Sequence, residues 1–220
     1  MTLTPTTKYC KICFKEIKMD DVCRILDKDI CLCSKCQNEF DPKFVKFKVD
    51  GYKATSIYEY TPFIKSLIYT YKGCFDYELN EVFLNPFFKE IKLRYKGYKV
   101  IPAPSHKKDD EYRRFNHVVE VFKNLGLDVL PIVEKTAHHK QAENNSKKRQ
   151  EIKQYLALTS NKSLENQRVL IVDDIYTTGS TMKAVISLVE KLKPKEIRVL
   201  VLAKTRDKDY KKVNSNNFYY

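Results

Sequence analysis

The segment LIVDDIYTTGST, residues 170–181, decides the fold. An apolar run ends in two adjacent acids, and a hydroxyl-rich turn with one glycine leads into a helical pattern. Working outward, further apolar runs occur in YKVIPAP (98–104) and EIRVLVLAKT (196–205), with helical patterns between the runs. Continuous apolar strands that alternate with helices are typical of a mostly parallel sheet covered on both faces. The sequence therefore predicts an α/β fold.

The remaining elements are predicted from turn residues and periodicity. Strands are expected at 55–60 and 127–133, with a linker over 40–54 and a long exposed loop after 133. Helices are expected from Pro62, over 77–94 with an interruption at Pro86, and through Lys123 after a polar loop. The predicted domains are a cysteine-rich module and linker over 1–50, a larger α/β domain over 51–206 and a polar tail over 207–220.

The acid pair and the turn together predict a binding site. In parallel sheets, ligands bind at the carboxyl ends of strands, where Asp173 and Asp174 would lie. The turn precedes a helix whose first N–H groups are unpaired and carry partial positive charge, which favours a phosphate. Gly179 permits close approach, and hydroxyl donors come from Thr177, Thr178, Ser180 and Thr181. The two carboxylates would repel a phosphate and suit hydroxyl donors or a divalent cation instead. A phosphate site beside acceptors for vicinal hydroxyls indicates a ribose 5-phosphate group.

Six of the seven cysteines fall between residues 10 and 36. Cys10, Cys13, Cys33 and Cys36 form two C-x₂-C pairs separated by 19 residues, the spacing of a structural four-thiolate zinc site. Cys23 or Cys31 remains an alternative ligand, and a redox-active C-x₂-C is a weaker alternative because it lacks a βαβ context. Cys74 is expected to be a buried or semi-buried thiol.

The charge and hydropathy of the chain limit the classes of partner. The formal net charge is +13 and the sequence pI is near 9.3, which favours a polyanion such as nucleic acid, although a lysine-rich surface without a partner is the plain alternative. No apolar stretch approaches the length of a membrane span, and the N-terminus lacks signal-peptide features. A cytoplasmic protein without membrane insertion is expected.

Residues 169–181 resemble the 5-phosphoribosyl pyrophosphate (PRPP) motif of type I phosphoribosyltransferases. The resemblance implies that Asp173 and Asp174 contact the ribose hydroxyls and that residues 177–181 hold the 5-phosphate. It also implies a pyrophosphate and magnesium loop after the first core strand. Ser105, His106 and Lys107 stand where that loop is expected.

A narrower resemblance extends over residues 10–205. The four-cysteine finger, PAPSHKKDDEYRRFNHV, HKQAENNSKKRQEI and VDDIYTTGST together resemble the ComF family of competence proteins. Three positions depart from the family pattern: Arg114 replaces Gly, His117 replaces Gln, and Ala142 replaces a hydroxyl residue. The resemblance implies a role in DNA uptake during natural transformation, with a competence helicase or an uptake-channel component as a possible protein partner.

Two basic loops are the predicted contacts for single-stranded DNA, with Tyr112 and Phe115 as stacking faces. Their basic residues are Lys107, Lys108, Arg113, Arg114, Lys140, Lys147, Lys148 and Arg149. His106 and His117 are expected to be polar or capping residues, and the catalytic residues are unknown.

One alternative function is an active phosphoribosyltransferase that transfers phosphoribosyl from PRPP to a nucleobase or related acceptor. Another is a sensor in which PRPP or ribose 5-phosphate sets the affinity for DNA.

Overall fold

The computed structural model describes residues 8–17, 30–136 and 155–205, and its main element is a six-stranded sheet. Within these residues, the strands are β1 (Pro42–Val49), β2 (Tyr52–Glu59), β3 (Tyr98–Pro102), β4 (Asp128–Val129), β5 (Val133–Lys135), β6 (Leu156–Leu158), β7 (Arg168–Tyr176) and β8 (Glu196–Lys204). The helices are α1 (Ser34–Asn38), α2 (Pro62–Gly73), α3 (Phe88–Arg94), α4 (Lys107–Arg113), α5 (His117–Lys123) and α6 (Ser180–Val189). Short 3₁₀ turns span Tyr77–Glu81, Asn85–Phe87 and Glu190–Leu192.

The order of strands in the large sheet is β1-β2-β8-β7-β3-β4. All neighbours pair in parallel except β1 and β2, which are antiparallel. A separate antiparallel pair consists of β5 and β6. The mostly parallel α/β fold predicted from the sequence is therefore confirmed.

Burial on both faces of the sheet explains why residues 169–172 of the central strand β7 are continuously apolar. Leu170 and Val172 belong to one buried cluster, whereas Val169 and Ile171 belong to the other. Successive side chains of a strand point to opposite faces, so a strand covered on both faces needs an apolar residue at every position. One face is covered by α2, α3 and α5, and the other by α6 and the β5–β6 pair.

The strand order reverses between β3 and β7, and this reversal positions the site. The chain leaves β3 towards β4 on one side, but leaves β7 towards β8 on the other. The crossing helices α5 and α6 lie on opposite faces of the sheet. Such a switch point opens a crevice outside the carboxyl ends of the two strands.

The cysteine-rich segment packs directly on the larger domain. Phe40 is buried, with its ring centroid 5.6 Å from that of Tyr58 in β2 and 5.2 Å from that of Phe63 in α2. Lys11 forms ion pairs of 2.8 Å with both Glu78 and Glu81. Residues of this segment and of the sheet thus share one hydrophobic cluster.

The linker predicted over 40–54 is wrong, because these residues form β1, a turn and the start of β2. Strand β1 is an edge strand whose side chains are mostly half-buried or exposed, so it carries lysines and resembles a polar connection. The division into modules at residue 50 stays a prediction, although β1 belongs to the large sheet.

Three other local predictions need correction. Residues 77–94 form two 3₁₀ turns and the short helix α3 in place of one interrupted helix. The expected polar loop before Lys123 contains helix α4, which is separated from α5 by Arg114 in a left-handed conformation (φ 65°). Only Asp128–Val129 of the strand predicted over 127–133 joins the large sheet.

The exposed loop predicted after residue 133 begins instead within β5, at Glu134 and Lys135. Its part from residue 137 to 152 and the tail from residue 207 lie outside the described residues. Among the described helices, none has both the length and the apolar character needed to cross a membrane.

Candidate functional site

A cleft of about 430 Å³ lies at the switch point between β3 and β7. Asp173 and Asp174 line it from β7, Thr177 and Thr181 from the following turn and helix, and Ser105 from the loop after β3. The structure thus brings the predicted acid pair, part of the predicted phosphate loop and part of the predicted pyrophosphate loop into one cavity.

The turn before α6 has the backbone shape that a phosphate loop needs. Gly179 precedes the helix with φ 74°, a left-handed conformation that favours glycine. The hydroxyl of Ser180 lies 3.0 Å from that of Thr178, and the Ser180 N–H donates to the Thr178 hydroxyl at 3.4 Å. Thr177 and Thr178 are exposed, so their hydroxyls can reach a ligand.

Gly179→Ala is expected to weaken phosphate binding and to destabilise the protein. A Cβ at Gly179 would clash with the Tyr176 hydroxyl, and the Tyr176 ring packs against Phe47 with centroids 4.8 Å apart. The left-handed conformation alone costs a non-glycine residue roughly 1–2 kcal/mol. Thermal melting and calorimetry with ribose 5-phosphate would measure both effects. Gly51→Ala is a matched control, because Gly51 has φ 88° and open space at its Cβ position; equal effects of the two changes on ligand affinity would contradict the assignment.

Asp174 is held by two basic side chains from other elements. Lys72, in the last turn of α2, places Nζ 2.7 Å from Asp174 Oδ2. His117, the first residue of α5, places Nε2 3.3 Å from the same oxygen. The Asp174 side chain is 13% exposed, so these contacts lie at the enclosed base of the cleft.

The two acids have opposite electrostatic environments. Burial raises the pKa of Asp173, and the neighbouring charge of Asp174 raises it further. Burial would also raise the pKa of Asp174, but the charge of Lys72 and the hydrogen bond from His117 outweigh burial and hold that pKa well below its usual range. Asp174 is therefore the ionised member of the pair, and its charge is already balanced within the protein.

Hydrogen bonds within the protein fix the loop after β3. The Asn116 amide donates to the Ser105 hydroxyl and to Asp110 Oδ2, both at 2.9 Å, and the Ser105 hydroxyl also bonds to Asp110. His106 lines the cleft but is exposed and makes no side-chain cap at the start of α4. Lys107 is exposed as the first residue of α4 and does not line the cleft. The pyrophosphate role of the three residues stays a prediction.

Arg113 does not belong to an exposed basic surface, which corrects its assignment to DNA. Its side chain is 9% exposed, lines the cleft and donates from Nη2 to Asp110 Oδ1 at 2.9 Å. Its buried Nε has no hydrogen-bond partner among the described residues, so it can donate to an anion in the cleft. Lys107, Lys108 and Arg114 are exposed, and their contact with DNA stays a prediction.

The four predicted metal ligands meet in space. The Sγ atoms of Cys10, Cys13, Cys33 and Cys36 all lie within 4.8 Å of one another. Cys13 Sγ and Cys33 Sγ are 3.7 Å apart, close to the edge of about 3.8 Å expected for a tetrahedron with Zn–S bonds of about 2.3 Å. The Cys36 N–H donates to Cys33 Sγ at 3.5 Å, which fixes the second C-x₂-C turn. The donor set therefore fits a tetrahedral zinc ion.

The other cysteines are separate from this cluster or not described. Cys31 is buried but does not join the four sulfur atoms, and Cys23 lies outside the described residues. The prediction that Cys74 is buried or semi-buried is wrong, because its thiol is exposed after α2.

Four of the residues predicted to contact DNA lie outside the described part of the chain, and the sequence analysis did not identify two residues that contact Asp174. Lys140, Lys147, Lys148 and Arg149 lie outside the described residues. Lys72 had no signal in the sequence, because it comes from a helix remote from the motif. His117 had a weak signal, since a titratable residue stands there in place of the Gln of the ComF pattern, but it was interpreted as polar or capping.

The chain is similar in sequence to phosphoribosyl transferase domains and to competence proteins. The family model for the phosphoribosyl transferase domain matches residues 113–219. The competence protein ComFC of Streptococcus pneumoniae is 24% identical and aligns over 89% of this chain and 99% of its own length. ComFC of Bacillus subtilis is also 24% identical, over 82% of this chain and 77% of its own. An adenine phosphoribosyltransferase from Bacteroides thetaiotaomicron is 47% identical over 49 residues, which is 22% of this chain and 28% of that one.

Solved structures with partial similarity include two phosphoribosyltransferases. A hypoxanthine phosphoribosyltransferase from Staphylococcus aureus is 16% identical with a TM-score of 0.38, over 57% of this chain and 62% of that one. A purine phosphoribosyltransferase from Pyrococcus horikoshii is 24% identical with a TM-score of 0.36, over 56% of this chain and 73% of that one.

Proposed function

We propose that this chain, which is similar to ComFC competence proteins over most of its length and matches the phosphoribosyl transferase domain over residues 113–219, is a member of the ComF family and handles single-stranded DNA in the cytoplasm during natural transformation. In this proposal the cleft binds a phosphoribosyl ligand, either PRPP or ribose 5-phosphate, and the four cysteines hold a structural zinc ion. The observation that carries the phosphoribosyl part is the meeting of an acid pair and a glycine-turn helix N-terminus in one cleft.

The ligand groups can be matched to parts of the cleft. The 5-phosphate would bind the N–H groups at the start of α6 and the hydroxyls of residues 177–181, where the helix dipole favours negative charge. Asp173 would accept a hydrogen bond from a ribose hydroxyl. The unpartnered Nε of Arg113 and the loop at Ser105 and His106 would face the pyrophosphate of PRPP. Magnesium would enter with that pyrophosphate, whose charge it neutralises.

Basic and aromatic side chains beside the cleft support the DNA part of the proposal. Tyr112 is 77% exposed and forms an edge-to-face pair with Phe75, with centroids 5.2 Å apart. Lys108 precedes Tyr112 by four residues in α4, so both lie on one face of that helix. A base can stack on an exposed ring while a neighbouring cation contacts its phosphate, which suits binding without sequence preference.

The test is fluorescence anisotropy with a labelled single-stranded oligonucleotide at several salt concentrations, with and without PRPP and magnesium. Binding that weakens steeply with salt would support the DNA function, and a change in affinity on adding PRPP would link the two ligands reciprocally. No binding at low salt would remove the DNA function. Release of pyrophosphate from PRPP with a nucleobase would favour an active phosphoribosyltransferase in its place.

Replacing Lys147, Lys148 and Arg149 with alanine is expected to weaken binding to all DNA sequences alike. The slope of log K against log salt concentration should flatten by about 0.7 for each lost phosphate contact on a single strand. The matched control replaces Lys191, Lys193 and Lys195, three exposed lysines before β8 at the opposite edge of the sheet. An equal change of slope in both triple variants would mean that only net charge matters and would remove the predicted interface.

A further inference from the structure

Basic side chains of the protein itself contact Asp174 and balance its charge. Oδ2 of Asp174 contacts Lys72 Nζ at 2.7 Å and His117 Nε2 at 3.3 Å. Oδ1 of Asp174 accepts the N–H of Ile175 at 2.7 Å. A carboxylate offers about two acceptor sites on each oxygen, so Oδ2 has no site left and Asp174 has little capacity to contact a ligand directly.

A magnesium ion does not fit beside this acid pair. Mg²⁺ is usually bound through one or two carboxylates together with phosphate oxygens and water, at about 2.0–2.1 Å. Here the ammonium group of Lys72 already lies against Asp174. Asp173 Oδ1 accepts the N–H of Asp174 at 2.9 Å, which leaves Oδ2 as the oxygen of the pair with the most free acceptor capacity. A second cation at this point would be repelled by the first.

We infer that Lys72 takes the place of a divalent cation at the acid pair, so that the cleft binds a sugar 5-phosphate such as ribose 5-phosphate without magnesium. This inference rests on the proposed phosphoribosyl site. The Lys72 side chain is 35% exposed and lines the cleft, so its ammonium group still faces the ligand. An ammonium group has three donors and Asp174 takes one, which leaves donors for a ribose hydroxyl oxygen while Asp173 accepts from a hydroxyl.

The inferred ligand class follows from the charge of the cleft. Among the described residues, its lining contains three cationic side chains, Lys72, Arg113 and Lys135, and two of them are already paired within the protein, Lys72 with Asp174 and Arg113 with Asp110. A single 5-phosphate can be bound by the helix N-terminus alone. The pyrophosphate of PRPP adds more negative charge than these mostly paired cations can offset, and it therefore needs magnesium. Without magnesium the cleft should prefer ribose 5-phosphate to PRPP.

The experiment is isothermal titration calorimetry of the whole protein with ribose 5-phosphate, in excess EDTA and in millimolar magnesium. The wild-type Kd is expected to agree within about twofold between the two conditions, because the cation is built in. Lys72→Met should raise the Kd in EDTA about tenfold or more, since it removes a charged hydrogen-bond donor, and magnesium should restore part of the affinity. A purely structural role for Lys72 would not create a response to magnesium.

Two control variants and a melting curve keep the test decisive. Lys65→Met changes an exposed lysine of the same helix and should leave both Kd values unchanged. Lys72→Arg should keep the independence from magnesium. Wild-type binding that needs magnesium would overturn the inference and keep the proposed site, whereas no binding in either condition would overturn both. A Lys72→Met protein that melts normally and binds like the wild type in EDTA would also overturn the inference.

Discussion

Replacing Cys33 with serine is expected to remove the zinc ion and to lower the melting temperature of the whole protein by roughly 10 °C or more. Structural zinc contributes about 10–16 kcal/mol of binding free energy in small zinc modules, and that energy is folding energy. At about 2–4 °C per kcal/mol for a chain of this size, the loss of only a few kcal/mol has this effect. The change should spread beyond the finger, because Phe40 packs on Tyr58 and Phe63 of the larger domain.

The measurements are the zinc content per chain by elemental analysis and the melting curve. Cys74→Ser is the matched control, because this thiol is exposed and outside the cluster. Cys31→Ser tests the ligand set, since Cys31 is buried but does not join the four sulfur atoms. A Cys33→Ser protein that keeps one zinc ion per chain, or a Cys31→Ser protein that loses it, would contradict the proposed ligands.

Asp174→Ala is expected to abolish phosphoribosyl binding and also to destabilise the fold. Removing one partner of a fully buried ion pair typically costs about 3–5 kcal/mol, because the other charge is left unpaired, and the loss here should be smaller because the Lys72 side chain is 35% exposed. Lys72 and His117 would both lose their shared acceptor. Without Asp174, the ammonium group of Lys72 would no longer be held in the cleft. Calorimetry with ribose 5-phosphate and chemical denaturation would measure the two losses.

A double variant separates the two effects of Asp174. Asp174→Ala combined with Lys72→Met removes both charges and should recover part of the lost stability, but not ligand binding. Asp173→Ala should lose affinity with a smaller loss of stability, because no cationic side chain in the described part of the chain makes a hydrogen bond to its carboxylate. An Asp174→Ala protein as stable as the wild type would mean that the ion pair contributes nothing to the fold.

The parts of the molecule predicted from the sequence are those determined by local pattern. The strand, acid pair and glycine turn of residues 170–181 are adjacent in sequence, and each feature has its own physical signature. The four cysteines could be grouped because paired spacing places two thiolates at one centre. The expected acid pair and turn indeed border one cleft.

The parts that were missed depend on contacts between distant residues. Lys72 lies 102 residues from its partner Asp174, and no local pattern marks such a pair. Arg113 was assigned to DNA because basic runs are usually exposed, but its contact with Asp110 holds it in the cleft. Strand β1 resembled a linker because an edge strand carries lysines.

Phe40 is buried between β2 and α2, and this burial limits how the protein could bind a long single-stranded DNA. The finger is not a module on a flexible tether, since its side chains belong to the same hydrophobic cluster as the sheet. If a DNA strand touches both the finger and the proposed contacts beside the cleft, those two sets of contacts are therefore held at a fixed spacing. A strand that touches one of them reaches the other as an intramolecular step, without the dilution of effective concentration that a flexible linker causes. Binding strength should then depend on whether the strand is long enough to span both, and a shorter strand would lose that avidity abruptly.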